Sequence, residues 1–181
     1  MRIGFRFFPY SFRAAKSENP VSLVYLQVLL LLIVANGAPI VARLIMKGQW
    51  STPLDGGATF MDGHPVLGKS KTYRGVAFSL VGTVLAADVL GMPWEMGLLV
   101  GGLAMTGDCL SSFIKRRLGY DSGAMALGLD QIPESLFPLL GVWGSLSLSA
   151  TGMMATVGAF MAFDLIFSPF LYKLGIREQP Y

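Results

Sequence analysis

The sequence predicts an all-α, polytopic integral membrane protein with about five transmembrane helices and two polar cytoplasmic loops. Three observations carry this. Of the 181 residues, 53% are hydrophobic and only 14% charged, whereas ordinary globular domains carry about 25% charge. The apolar residues fall in runs long enough to cross a bilayer, which takes roughly 20 residues. No alternating pattern that would build a sheet is present. The length fits a single membrane-embedded domain over residues 1–181, with residues 1–20 as a basic and aromatic N-terminal segment. One cysteine, Cys109, excludes an internal disulfide.

The first span is the clearest. Residues 19–42 contain no charge, and "VSLVYLQVLLLLIVA" forms the centre of that run. Gly37 and Pro39 are expected to bend its second half, with Asn36 placed to bond the backbone that proline frees. A cleaved secretory signal would end at Ala35-Asn36-Gly37, but the apolar pattern continues to Met46. A second span covers about 75–90. "GMPWE" then makes a tight turn, with Pro93 suited to a helix start and Trp94 to the interface. The third span runs from about 96 to 114 and carries Asp108 in its last third. No charge lies between Glu134 and Asp164, and the 38 residues 135–172 are too many for one helix. "SATG" at 149–152 is the natural turn between a fourth and a fifth span, and Gly97 and Gly101 form a G-x-x-x-G suited to close helix contact within the chain or across a homodimer.

Two polar loops remain, at 47–74 and 115–134. A hairpin of spans two and three puts them on one side of the membrane. They hold Lys47, Lys69, Lys71, Arg74, Lys115, Arg116 and Arg117, while the opposite turns hold no Lys or Arg. The excess of Lys and Arg assigns the loops to the cytoplasm of a multi-pass cell-membrane protein. Arg2, Arg6, Arg13 and Lys16 fall on the other side in an odd-numbered topology, and a surface-lying "MRIGFRFFPYSF" would accommodate them.

The first loop contains "GHPVLGKSK", a full match to the G-x-x-x-x-G-K-S phosphate loop of soluble NTPases. That loop works only between a buried strand and a helix of a parallel sheet, and here no strand precedes it. The chemistry outlives the motif. "GKSKTYRG" presents Lys69, Lys71 and Arg74 within six residues, as an oligophosphate site would, and as a simple positive-inside anchor would too. Leading into the second loop, Asp108 on the third span, Ser111, Ser112 and Lys115 recur at helical spacing and share one face running from membrane to water. An acid within a span is costly and is by default functional. Carboxylates at Asp108, Asp121, Asp130 and Glu134 beside Lys115-Arg116-Arg117 supply hard oxygen ligands and cations, the requirements of a Mg²⁺-polyphosphate site. Salt bridges at a helix end are the bland alternative. His64, the only histidine, excludes a His-rich metal site.

"DGHPVLGKSKTYRG", "GDCLSSFIKRRLG" and "LDQ", in this order, resemble the CDP-archaeol synthases, relatives of the bacterial and eukaryotic phosphatidate cytidylyltransferases. "ANGAP" and "YKLGIREQPY" also look like that family, so the likeness covers roughly residues 35–181. The resemblance implies a helical membrane enzyme that converts CTP and a lipid phosphate to CDP-lipid and pyrophosphate with Mg²⁺. Its matching residues here are Gly68, Lys69, Lys71, Thr72, Arg74 and Gly75, then Gly107, Asp108, Ser112, Lys115, Arg116 and Asp130. Two positions depart from the pattern. Asp121-Ser122 stands where the wider superfamily has Lys-Asp about one position later. Pro133, followed by Glu134, stands where the family has its second acid.

The expected function is therefore CTP-dependent activation of a lipid phosphate. Asp108 and Asp130 are assigned to Mg²⁺ with Glu134 or Asp121 assisting, Lys69, Lys71 and Arg74 to phosphates, and Lys115 and Arg116 to the lipid phosphate or the leaving group. Gly68, Thr72 and Ser112 complete the candidate substrate contacts. Expected partners are CTP, a lipid phosphate and membrane lipids, with no nucleic acid. The signature of enzymes that transfer from CDP-alcohols, several Asp and Gly around an Ala-Arg pair, is absent. A non-catalytic lipid-phosphate binder or transporter is the alternative, favoured by the altered segment after Asp130.

Overall fold

The computed structural model describes residues 21–173, so the N-terminal basic segment and Arg177 lie outside the described residues. Five helices follow one another: α1 (Val21–Met46), α2 (Tyr73–Val89), α3 (Trp94–Arg117), α4 (Gln131–Leu146) and α5 (Ala150–Lys173). The only β-pairing among the described residues is two isolated bridges in the first loop. α1, α3 and α5 are long and apolar enough to cross a membrane. α2, with 17 residues, and α4, with 16, rise about 24–26 Å, short of the roughly 30 Å hydrocarbon core. Both begin at the polar end of the bundle, where the two loops meet.

α3 is the centre of the molecule and packs on α4, α2 and α1, while α5 closes against α4 and α1. Lipid tails are as apolar as leucine, so the helices associate through close packing and not through water exclusion. Gly97 and Gly101 supply that closeness: a Cβ on either would collide with Thr83 of α2. The G-x-x-x-G is thus used within the chain. Val28, Leu31 and Leu32 of α1 meet Val100 of α3, Leu139 and Val142 of α4 and Phe160 of α5 in one apolar core. Val81, Leu85 and Val89 of α2 point outward, a row that water would penalise and lipid does not.

Two features differ from the sequence expectation. α3 continues to Arg117, so Lys115, Arg116 and Arg117 stand on its last turn and not in a loop, where the negative end of the helix dipole favours cations. Asn36 donates from Nδ2 to the carbonyl of Leu32 at 3.0 Å, within its own turn, and not to the carbonyl of Ala35 that Pro39 leaves open. The far end of the bundle is pinned by polar contacts. Gln27 Nε2 donates to the Leu90 carbonyl at 2.9 Å, and the Ser149 N–H donates to Tyr25 Oη at 2.8 Å.

Candidate active site

The first loop is a two-tier hairpin. At its base the Leu54 N–H donates to the Lys71 carbonyl at 2.8 Å, and the Tyr73 N–H to the Thr52 carbonyl at 3.3 Å. At its tip the Phe60 N–H donates to the His64 carbonyl at 2.8 Å, and the Val66 N–H to the Ala58 carbonyl at 3.0 Å. Asp55 joins the tiers: Oδ2 accepts from the N–H groups of Leu67 (2.8 Å) and Gly68 (2.9 Å), and Oδ1 from that of Gly57 (3.0 Å). Burial pushes the Asp55 carboxyl up, but the amides of Gly68, Leu67 and Gly57 outweigh it and hold the pKa below the ordinary aspartate value. Gly68 has a φ of +89°, and a Cβ there would strike Ser122 of the second loop. Only glycine accepts both conditions. Thr72 then caps α2, its Oγ1 accepting from the Gly75 N–H at 3.2 Å.

A glycine also sets the opposite wall. At Gly107 a Cβ would collide with the backbone of Pro133 and Glu134. α4 therefore starts directly against α3, and the Glu134 carboxyl stands beside that of Asp108 in one cavity. Pro133 falls in the first turn of α4, where a proline is tolerated.

Between these walls lies a cavity of about 250 Å³ lined by Arg43, Lys71, Asp108, Lys115, Asp130 and Glu134, among others. The Lys71 ammonium pairs with Asp108. Burial pulls its pKa down, but Asp108 and Glu134 outweigh that and raise it, so the side chain stays charged. Lys115 Nζ pairs with Asp130 Oδ1 at 2.6 Å and donates to the Ala124 carbonyl at 2.8 Å, while Asp130 Oδ2 accepts from the Ala126 N–H at 2.9 Å. Asp130 thus orders the second loop from the start of α4 without capping it. Two lysine–aspartate pairs and a third acid, Glu134, share one cavity at the membrane edge.

Other sequence candidates stand elsewhere. Lys69 is exposed on the loop surface. The buried Arg74 donates to the Gln49 carbonyl and ties α2 to the end of α1. Ser112 is buried within α3. Asp121 is exposed, and its contribution is a carbonyl that accepts from Arg116 Nη2 at 2.7 Å. Arg116 itself is 3% exposed and lies beneath Gly68, with Nε and Nη1 lacking any partner. Burying unpaired guanidinium donors is costly, and an anionic oxygen would relieve it.

Sequence reasoning gave Asp164 no task and passed over Gln131. Gln131 is fully buried, its Nε2 donating to Asp164 Oδ2 at 2.7 Å and its Oε1 accepting from the Gly128 N–H at 2.8 Å. Asp164 reaches the cavity wall through this link. The available signal was a glutamine opening an apolar span, facing an acid within another.

Among the described residues, no three or more His, Cys, Asp or Glu side chains are grouped so that they could hold a metal ion by themselves. Asp108, Asp130 and Glu134 nevertheless line one cavity. Mg²⁺ is typically held by one or two carboxylates with substrate phosphates and water completing the shell. The donor set fits a hard divalent cation of that kind.

The family profile described as CarS-like, CDP-archaeol synthase, matches residues 21–181. A CDP-archaeol synthase of Sulfolobus acidocaldarius is 43% identical over 155 residues, covering 82% of this chain and 91% of that protein. One from Hyperthermus butylicus is 40% identical over 119 residues, covering 62% and 68%. A solved intramembrane enzyme for archaeal membrane lipid biosynthesis superposes with a TM-score of 0.65 at 28% identity, covering 78% of this chain and 90% of that one.

Proposed function

The chain belongs to the CDP-archaeol synthase family, and we infer from that membership that it is a membrane-embedded CTP:lipid-phosphate cytidylyltransferase of membrane lipid biosynthesis. An oxygen of the lipid phosphate attacks the α-phosphorus of CTP in line. The bond from that phosphorus to the β-phosphate oxygen breaks, and pyrophosphate leaves as CDP-lipid forms. Such transfers need positioning and charge neutralisation more than a protein nucleophile.

The observation that carries this reading is the pair of buried ion pairs, Lys71–Asp108 and Lys115–Asp130, on one cavity wall. Each lysine is a cation held ready by an aspartate. With phosphates present, Lys71 turns to those of CTP, and Lys115 to the lipid phosphate or the departing pyrophosphate. The unpartnered donors of Arg116 add positive potential behind Gly68. The activity calls for a divalent metal, and we assign Mg²⁺ to Asp108 and Asp130, with Glu134 supporting Asp108. When bound, the ion would neutralise charge on the phosphate oxygens of CTP.

The lipid is of the archaeol type by membership. A groove lined by Leu136, Leu140, Trp143, Met153 and Val157 between α4 and α5 is almost wholly apolar and suits its chains. The Lys and Arg of the two loops support a cavity that opens to the cytoplasm. Purified protein given radiolabelled CTP, Mg²⁺ and a panel of isoprenoid-ether and diacyl lipid phosphates should form labelled CDP-lipid. No labelled lipid from any member of the panel would overturn the reading.

A further inference from the structure

Arg117 is a cation that the proposed chemistry leaves unused. It stands on the last turn of α3 and points away from the cavity, onto the tip of the first loop. Its Nε pairs with Asp62 Oδ2 at 2.7 Å. Its Nη2 donates to the carbonyls of Pro65 (2.6 Å) and His64 (3.2 Å). The guanidinium carbon lies 4.7 Å from the ring centre of Phe60 and 4.8 Å from that of Phe113. Those rings meet edge to face at 5.4 Å. Phe60, Asp62, His64 and Pro65 all belong to the hairpin tip, and Phe113 belongs to α3.

An exposed ion pair alone contributes little. Here one guanidinium pairs with a carboxylate through Nε and gives Nη2 to two carbonyls while resting against two aromatic rings. A lysine cannot reproduce that geometry. The first loop is therefore attached to α3 at two points. One is Arg117 with the tip. The other is Asp108 with Lys71, nine residues earlier on the same helix and about 13 Å along its axis. Between them runs a continuous set of bonds: tip pairing, the Asp55 carboxylate across Leu67 and Gly68, and the Lys71 N–H donating to the Gly68 carbonyl at 3.3 Å. The Ser70 N–H adds a bond to Ser122 Oγ at 3.2 Å.

We propose that Arg117 is a positioning residue for CTP: by clasping the tip of the first loop to α3, it sets the placement of Lys71 in the cavity. The proposal rests on the assignment of Lys71 to the phosphates of CTP. Misplacing such a group by about 1 Å costs on the order of a hundredfold.

The test is Arg117→Lys, which keeps the charge and removes the fork. Equilibrium binding of radiolabelled CTP should weaken about ten- to a hundredfold, KM for CTP should rise in step, and KM for the lipid phosphate should stay unchanged. Hydrogen exchange of the peptide spanning 58–71 should accelerate while the helices keep their protection. A merely structural arginine would lower thermal stability and leave both CTP constants at wild-type values, which would overturn the proposal. If Arg117→Lys does not yield folded protein, Phe60→Leu removes one supporting ring and is judged by the same constants. Because binding is read without turnover, wild-type protein that binds CTP but forms no CDP-lipid would count against the proposed activity alone. Wild-type protein that fails to bind CTP would overturn both.

Discussion

Asp108 is the residue on which most of the site converges. It pairs with Lys71, stands beside Glu134 and sits on the central helix. Asp108→Asn keeps the shape and removes the charge, so the protein should fold while turnover falls at least ~10²–10³-fold, the scale for losing one electrostatic group at a reacting centre. Near wild-type turnover at saturating Mg²⁺ would reject its assignment. Glu134→Gln separates two readings of the neighbouring acid. An acid placed only to suit the helix dipole would change stability by ~0.3–1 kcal/mol and leave the metal titration alone. The contact with Asp108 instead forecasts a sharply higher Mg²⁺ requirement with little change in melting temperature. Five members of the site, Lys71, Asp108, Lys115, Asp130 and Glu134, were legible because charge amid apolar sequence is conspicuous. Lys69 and Arg74 were indistinguishable from Lys71, since nearness in sequence says nothing about which cation points inward.

The first loop and the α3–α4 contact show what pattern reading cannot reach. Asp55 acts through backbone amides 12 and 13 residues away, and no spacing rule connects them. Its folded pKa is held below the unfolded value near 3.8. A depressed carboxyl stabilises at pH above its unfolded pKa, and the contribution is lost as pH falls through the folded pKa. Protection of the 66–71 peptide against hydrogen exchange, corrected for intrinsic rate, should therefore collapse below that range in the wild type. In Asp55→Asn it should already be weak and pH-independent; a pH step that persists in this variant would place the titrating group elsewhere. Gly107 is the corresponding point between helices. Gly107→Ala forces α4 off α3, an overpacking that typically costs ~1–3 kcal/mol, and carries Glu134 away from Asp108. A melting temperature lowered with activity almost abolished is expected; retained activity would mean that Glu134 need not touch Asp108. The sequence placed all five helices, because each apolar run was bounded by charge or by turn residues. It misplaced the end of α3, because a basic cluster can close a helix as readily as follow it.

At the scale of the whole molecule, the bundle has two chemically opposite ends. One gathers both loops, which touch through Ser70 and Ser122, while Arg117 at the end of α3 holds the hairpin tip. The other holds the turns near Leu90 and Ser149, tied to α1 by Gln27 and Tyr25. The first end carries Lys47, Lys69, Lys71, Arg74, Lys115, Arg116 and Arg117, and the turns of the second carry no Lys or Arg. Moving that charge across a bilayer is unfavourable, so the basic end should stay in the cytoplasm with the CTP pool. Because α2 and α4 are shorter than a full span, the bundle's depth in the membrane is best read chemically. In a Cys109→Ala background, single cysteines at the exposed Thr59 and Leu127 mark the two loops, and one at the exposed Thr151 marks the far end. A membrane-impermeant maleimide should label positions 59 and 127 in inside-out vesicles alone, and position 151 in right-side-out vesicles alone. Labelling of 59 and 127 from opposite sides would break the hairpin of α2 and α3 across the membrane and with it the shared cavity. Labelling of both from outside would leave the cavity intact and reverse its orientation, cutting the enzyme off from cytoplasmic CTP.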